Sequence, residues 1–285
     1  MPQIAKILTP VWGTSQDALS LYAAFAAARP FGAHVEAFFA YPDPRLAVPQ
    51  IGAPFSGEAV EAIIEGQTQV VRLAEAEARQ ILTRLCAEEG ARLVQSAAPA
   101  IGLSGSLKTD VGRRASLTAA RARLCDLVAF PPLNPPVSSD LIETFLGVLT
   151  QCGRPALVAP RSGGGAFAAH AAVAWDGSQS AANAARAALP WLELARSVDI
   201  LCVGGEMGAT ALKSYLALHG ARADIKVAAR GEASVGETLV ANAASAGADL
   251  LVMGGYGHSH LRETLLGGVT ADVLSLAALP VLLAH

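Results

Sequence analysis

The chain repeats itself, and that constrains its fold more than any other feature. Gly13-Thr14-Ser15 is answered by Gly177-Ser178-Gln179, and Gly90-Ala91-Arg92 by Gly220-Ala221-Arg222. Asp126-Leu127-Val128 is answered by Asp249-Leu250-Leu251, and Arg154-Pro155-Ala156-Leu157-Val158 by Leu279-Pro280-Val281-Leu282-Leu283. Matches in one conserved order mark a duplicated unit. Residues 1–161 and 166–285 are the expected domains, joined by the flexible stretch Arg161-Ser162-Gly163-Gly164-Gly165.

Each unit alternates short apolar runs with helical segments. In the first, strands are expected at 4–11, 34–41, 91–97, 126–130 and 156–159. Helices are expected between them, including a long one over 58–89 with apolar residues at helical spacing and Gly90 as its stop. In the second, strands are expected at 171–175, 198–203, 224–229, 250–253 and 281–284. The helices there span 181–195 (broken or kinked near Pro190), 209–219, 234–246 and 269–279. Strand–helix alternation implies parallel sheets with helices on both faces, because parallel neighbours need a crossover. The fold class is therefore α/β, two tandem doubly wound parallel-sheet domains. Each unit ends on a short apolar strand, and such edges are normally paired or covered.

Composition narrows the function. Hydrophobic residues make up 52% of the 285 and charged ones 16%, enough for a large core, and no run of about 18 apolar residues suggests a membrane span. The net charge is −3 and no dense Lys/Arg run occurs, which argues against nucleic acid as partner. Lys108, Arg113, Arg114, Arg121 and Arg123 form the one basic concentration, which a solvated helix face explains. Cys86, Cys125, Cys152 and Cys202 are far apart, as buried thiols of a reducing compartment would be. The expectation is a soluble cytoplasmic protein with no zinc site.

The stretch 249–280 carries the chemistry. Asp249-Leu250-Leu251-Val252-Met253 is a buried strand broken by Gly254 and Gly257, and Gly267-Gly268 precede a helix. Glycines before a helix N-terminus let the backbone approach an anion, with free N–H groups and the helix dipole directed at it. Turn formation alone is the competing explanation of these glycines. His258-x-His260 is too sparse for a metal site, and Arg262 is as well explained by solvent exposure as by phosphate. Gly102-Leu103-Ser104-Gly105-Ser106 lacks the spacing of a nucleophile elbow, so a Ser/His/Asp hydrolase is not expected.

The Gly-x2-Gly-x9-Gly spacing of Gly254, Gly257 and Gly267 resembles the ATP-binding signature of the universal stress protein family. Gly268 stands where that family has a small hydroxyl residue, with Thr270 two places on. The repeat extends the resemblance over nearly the whole chain as a tandem member, and Val173-Ala174-Trp175-Asp176-Gly177-Ser178 looks like the bacterial tandem forms. The resemblance implies an adenine nucleotide, ATP with or without Mg2+. It places Asp176 at the ribose or base and main-chain groups of Val203 at the adenine edge, and it makes Met253, Gly254, Gly257, Gly267, Gly268, Val269 and Thr270 the other nucleotide-binding residues. Asp176 serves equally as a helix cap or Asx turn, and Val203 as a core residue. The resemblance also implies pairing of the two halves through their last strands, with a homodimer as the other assembly. The protein partner is open.

The first half has lost these features. Trp12 takes the place of Asp176, and Phe130-Pro131-Pro132-Leu133-Asn134-Pro135-Pro136 replaces the glycine loop. Proline offers no N–H to a phosphate. One nucleotide, in the C-terminal half, is the expected stoichiometry. No nucleophile, general base or ligand set stands out, so a stress-response binding protein is preferred over an enzyme. A slow ATPase or nucleotidyl-transfer enzyme on the related adenine-nucleotide alpha hydrolase-like fold, and a scaffold with a remnant site, are the alternatives.

Overall fold

The computed structural model describes residues 4–49, 56–98, 102–134, 136–163, 165–255 and 268–285. In the first half the order is β1 (Lys6–Val11), α1 (Asp17–Ala28), β2 (His34–Tyr41), α2 (Gly57–Glu88), β3 (Arg92–Leu93), β4 (Ser104–Val111), α3 (Arg114–Ala122), β5 (Leu127–Phe130), α4 (Ser139–Gln151) and β6 (Ala156–Val158). In the second it is β7 (His170–Ala174), α5 (Gln179–Leu192), β8 (Ser197–Val203), α6 (Ala209–Leu218), β9 (Ala223–Ala228), α7 (Val235–Ser245), β10 (Leu250–Gly254), α8 (Gly268–Leu276) and β11 (Val281–Ala284).

The strands form one sheet in the order β3-β4-β2-β1-β5-β6-β11-β10-β7-β8-β9. Each half contributes the same parallel arrangement, and the halves join where β6 and β11 run antiparallel, with Leu157 opposite Leu282. The two terminal edges therefore satisfy each other's backbone groups, as an apolar edge must if it is not to remain open to another chain. One apolar layer lies under α1, α2, α5 and α6 and a second under α3, α4, α7 and α8, and both cross the junction. Trp191 of α5, 1% exposed, reaches across it and donates its indole N–H to the carbonyl of Ala27 in α1 at 2.9 Å. Phe31 and Phe167 meet its ring edge-on.

The repeat is physical as well as textual. Asp126 accepts the backbone N–H groups of Ala5 and Lys6 at the entry to β1, and Asp249 accepts those of Ala169 and His170 at the entry to β7. Lys6 pairs with Glu36 at 2.9 Å, and His170 with Asp199 at 3.1 Å, at matching positions of the paired strands.

Three expectations change. The full-length third strand of the first half is Ser104–Val111, not 91–97, where only Arg92–Leu93 pairs, on the sheet edge. Ser104 and Ser106 alternate inward although they are polar, which hides the strand pattern; the His34 ring bridges them at 3.0 and 2.8 Å. Helix α5 continues through Pro190, which lies in its last turn, and stops at Leu192. Helix α8 stops at Leu276, short of Leu279.

Candidate functional site

In an open α/β sheet, crossovers to opposite faces leave a crevice at the carboxyl ends of the strands where the winding reverses. Here that point lies between β10 and β7 in the second half and between β5 and β1 in the first. Ala174 pairs with Leu201 and Val252 with Val173, so continuing the register puts Asp176, Val203 and Gly255 in one row across β7, β8 and β10. Of the expected residues, Asp176 is exposed just beyond β7, and Val203 is the half-buried last residue of β8. Met253 is buried in β10 and Gly254 ends that strand. Gly268 and Val269 open α8 and are exposed, and Thr270 beside them is buried. Gly257 and Gly267 lie outside the described residues, as do His258, His260 and Arg262.

Asp176 has a local role. Its Oδ1 accepts the N–H of Ser178 at 2.9 Å, an Asx turn that leads into α5, while Ser178 Oγ caps that helix at Ala181 N. Gly254 is fixed by packing rather than by turn geometry. A Cβ there would lie 2.6 Å from Ala181 N and from Ser180 Oγ, so only glycine lets β10 pass this close to the start of α5.

Helix α8 is held from two sides. Gly236 of α7 lets the helices touch: a Cβ on it would lie 2.5 Å from the Cβ of Asp272 and 3.0 Å from the carbonyl of Val269. Ser234 Oγ donates to Asp272 Oδ2 at 2.7 Å. At the other end Asn134, from the proline-rich loop of the first half, donates its amide to the carbonyls of Leu274 and Ser275. No acidic residue stands in the first turn of α8, so that turn brings no carboxylate to the positive end of the helix dipole.

The equivalent place in the first half is closed by its own side chains. The register equates Trp12 with Asp176, since Ile7 pairs with Leu127 as Ala171 pairs with Leu250. The Trp12 indole N–H donates to Asp140 Oδ2 at 2.7 Å, Arg114 lies 4.9 Å over the ring and pairs with Asp140. Asp140 stands in the first turn of α4, the counterpart of α8, so a carboxylate already meets that helix dipole. The fully buried Asp17 takes the N–H groups of Trp12, Gly13 and Thr14 at 2.7–3.1 Å. Burial pushes the Asp17 carboxyl above its ordinary value of 3.8 and outweighs those hydrogen bonds.

Sequence reasoning missed Asp17, Asn134, Asp140 and Gly236. An Asp at the start of a helix is a visible signal, but nothing in sequence shows that Asn134 serves a helix 140 positions away. The basic concentration is also corrected. Arg113 pairs with Glu143, Arg114 with Asp140, and Arg121 contacts Glu36 and the Phe38 ring, so much of it is engaged within the fold. Cys86 and Cys125 are buried thiols pushed up to about 11, which keeps them protonated and unreactive. Among the described residues no three His, Cys, Asp or Glu cluster as metal ligands, and no helix is long and apolar enough to cross a membrane.

Residues 204–285 match the model of the Universal stress protein family. No curated protein matches the chain. Among solved structures, a universal stress protein from Archaeoglobus fulgidus is similar with a TM-score of 0.63 at 12% identity, covering 99% of this chain and 97% of that one. A putative universal stress protein from Pseudomonas aeruginosa gives a TM-score of 0.53 at 16% identity, covering 99% and 93%. The second half therefore carries a universal stress protein family match, and the chain over its whole length has the universal stress protein fold, its strand order repeated in tandem.

Proposed function

We propose that the protein binds one adenine nucleotide, ATP, in the C-terminal half, and acts as a nucleotide-responsive regulatory protein of the stress-response type. The observation that carries this is the contrast between equivalent positions. In the second half Asp176, Val203 and Gly255 fall in one register row at the crevice, and the helix that follows β10 has no acid in its first turn. In the first half Trp12, Arg114, Asp140 and Asp17 fill the same place with internal bonds. A helix whose own first turn carries no acid suits phosphate oxygens, and flanking glycines let them come close. The glycine spacing of 254, 257 and 267 and the family match over 204–285 support the same reading.

Asp176 would hold the ribose or base with the carboxylate oxygen its Asx turn leaves free, and Val203 would offer main-chain groups to adenine. Gly268, Val269 and Thr270 would face the phosphates, and Mg2+ would come with them. The replacement of a hydroxyl residue by Gly268 favours a second reading, a scaffold with a weakened site. Native mass spectrometry of the purified intact chain, followed by calorimetry with ATP, ADP and AMP, separates the two. One bound nucleotide per chain is expected. Two per chain would overturn the asymmetry, and none in either experiment would leave the scaffold.

A further inference from the structure

Helix α2 runs for 32 residues, whereas its counterpart α6 needs 10 to return the chain to the sheet. Its fully buried residues, Ala78, Ile81, Leu82, Leu85 and Cys86, all fall in the last third. The stretch 57–77 is an extension which, among the described residues, packs on the fold through a half-buried stripe that includes Val60, Ile64 and Val71. Directly opposite that stripe, Ala62, Gly66, Gln69, Leu73, Ala76 and Gln80 follow one another at alternating steps of four and three. That is the spacing of a coiled-coil seam. The whole line is exposed, Leu73 at 62% and its neighbour Val70 at 58%, and a Cβ on Gly66 would meet open space.

The flanking charges specify what fits. With Gly66, Leu73 and Gln80 at the first seam position, the residues before each heptad's first position are Glu58, Glu65, Arg72 and Arg79. They lie seven residues apart, acidic in the first half of the line and basic in the second. Glu58, Glu65 and Arg72 have no ion pair among the described residues, and Arg79 meets Glu75 of its own helix at 2.9 Å. In a parallel pair of identical helices these residues do not face one another. In an antiparallel pair they do, so Glu58 meets Arg79 of the other copy and Glu65 meets Arg72, each twice by symmetry. Ala62, Gly66 and Ala76 let the helix axes approach closely, and Leu73 and Val70 leave water.

We propose that the α2 extension is a homodimerisation arm, pairing antiparallel with α2 of a second copy of this chain. The occupant is set by self-complementarity: the acidic-then-basic line matches itself only when reversed. The surface is separate from the nucleotide crevice, and the inference does not depend on that reading.

Charge reversal in the intact chain tests it. Glu65→Arg puts arginine opposite Arg72 of the other copy, and Arg72→Glu puts glutamate opposite Glu65. Each single variant should dimerise about tenfold more weakly than wild type in sedimentation velocity. The equimolar mixture should regain wild-type affinity as a heterodimer, identified by its mass in native mass spectrometry. The Glu65→Arg/Arg72→Glu double variant should regain it as a homodimer. Both positions are exposed, so the fold tolerates the changes, and circular dichroism melts check this. A wild-type chain that stays monomeric up to about 100 μM, or a dimer indifferent to both single variants, would overturn the proposal. So would single variants that weaken the dimer but do not rescue each other.

Discussion

Asn134 in the first half donates its side-chain amide to the carbonyl of Leu274 in the second, at 3.0 Å, and to that of Ser275 at 2.9 Å. The carbonyls at a helix C-terminus lack partners within the helix, and α8 receives its partner from the loop that replaced the glycine loop in the other half. A segment unsuited to phosphate has become a strut for the helix proposed to bind phosphate.

Asn134→Ala should therefore act on α8 at a distance. Two neutral hydrogen bonds lost from a partly buried site cost on the order of 1–3 kcal/mol. Hydrogen exchange of the α8 amides should accelerate while that of β1 and β2 stays unchanged. If nucleotide binds as proposed, its affinity should fall several-fold. Unaltered exchange in α8 would show that the strut carries no weight.

Gly236→Ala places a methyl group 2.5 Å from the Asp272 Cβ and 3.0 Å from the Val269 carbonyl. Neither is the free end of a flexible chain, so α7 and α8 must part. Overpacking of this kind costs about 1–3 kcal/mol, read from the urea midpoint. Gly231→Ala in an exposed loop is the control: its methyl meets nothing, and such a surface change should alter stability by no more than about 0.5 kcal/mol.

Asp17→Asn tests the closed half through pH. The folded-state carboxyl titrates above 3.8, its ordinary value, because burial disfavours the charge. The folded state then binds more protons than the unfolded state between those two values. The resulting stability is full below 3.8 and is lost as pH rises through the folded value. Asparagine has no such titration, so its cost relative to wild type should be smaller at pH 7 than at pH 4. A cost that grows with pH in paired urea titrations would contradict this.

Asp176→Ala separates the turn from the ligand. Among the described residues its one hydrogen bond, accepted from Ser178 N, is exposed, so stability should fall by no more than about 1 kcal/mol. Loss of a charged contact to the nucleotide should weaken binding about tenfold or more. Wild-type affinity by calorimetry would confine Asp176 to the Asx turn.

The sequence by itself determined the duplication, the alternation of strand and helix, the closing strands, and the asymmetry between a glycine loop and a run of prolines. These are local signals: turn residues, apolar runs and their spacing need no distant partner to be recognised. It misplaced β4, because inward Ser104 and Ser106 are polar and only the His34 ring from a neighbouring strand makes their burial tolerable. Pairing of the two closing strands was implied by the resemblance, but the tertiary structure decided that β6 and β11 run antiparallel with Leu157 opposite Leu282 and so merge the halves into one sheet, because register and direction are a choice between edges and not a property of either strand. It alone showed that Trp12, Arg114 and Asp140 close the first crevice and that Asn134 supports α8 in the other half. Hydrogen bonds between residues more than a hundred positions apart exist only after the backbone has brought them together, and no periodicity records them.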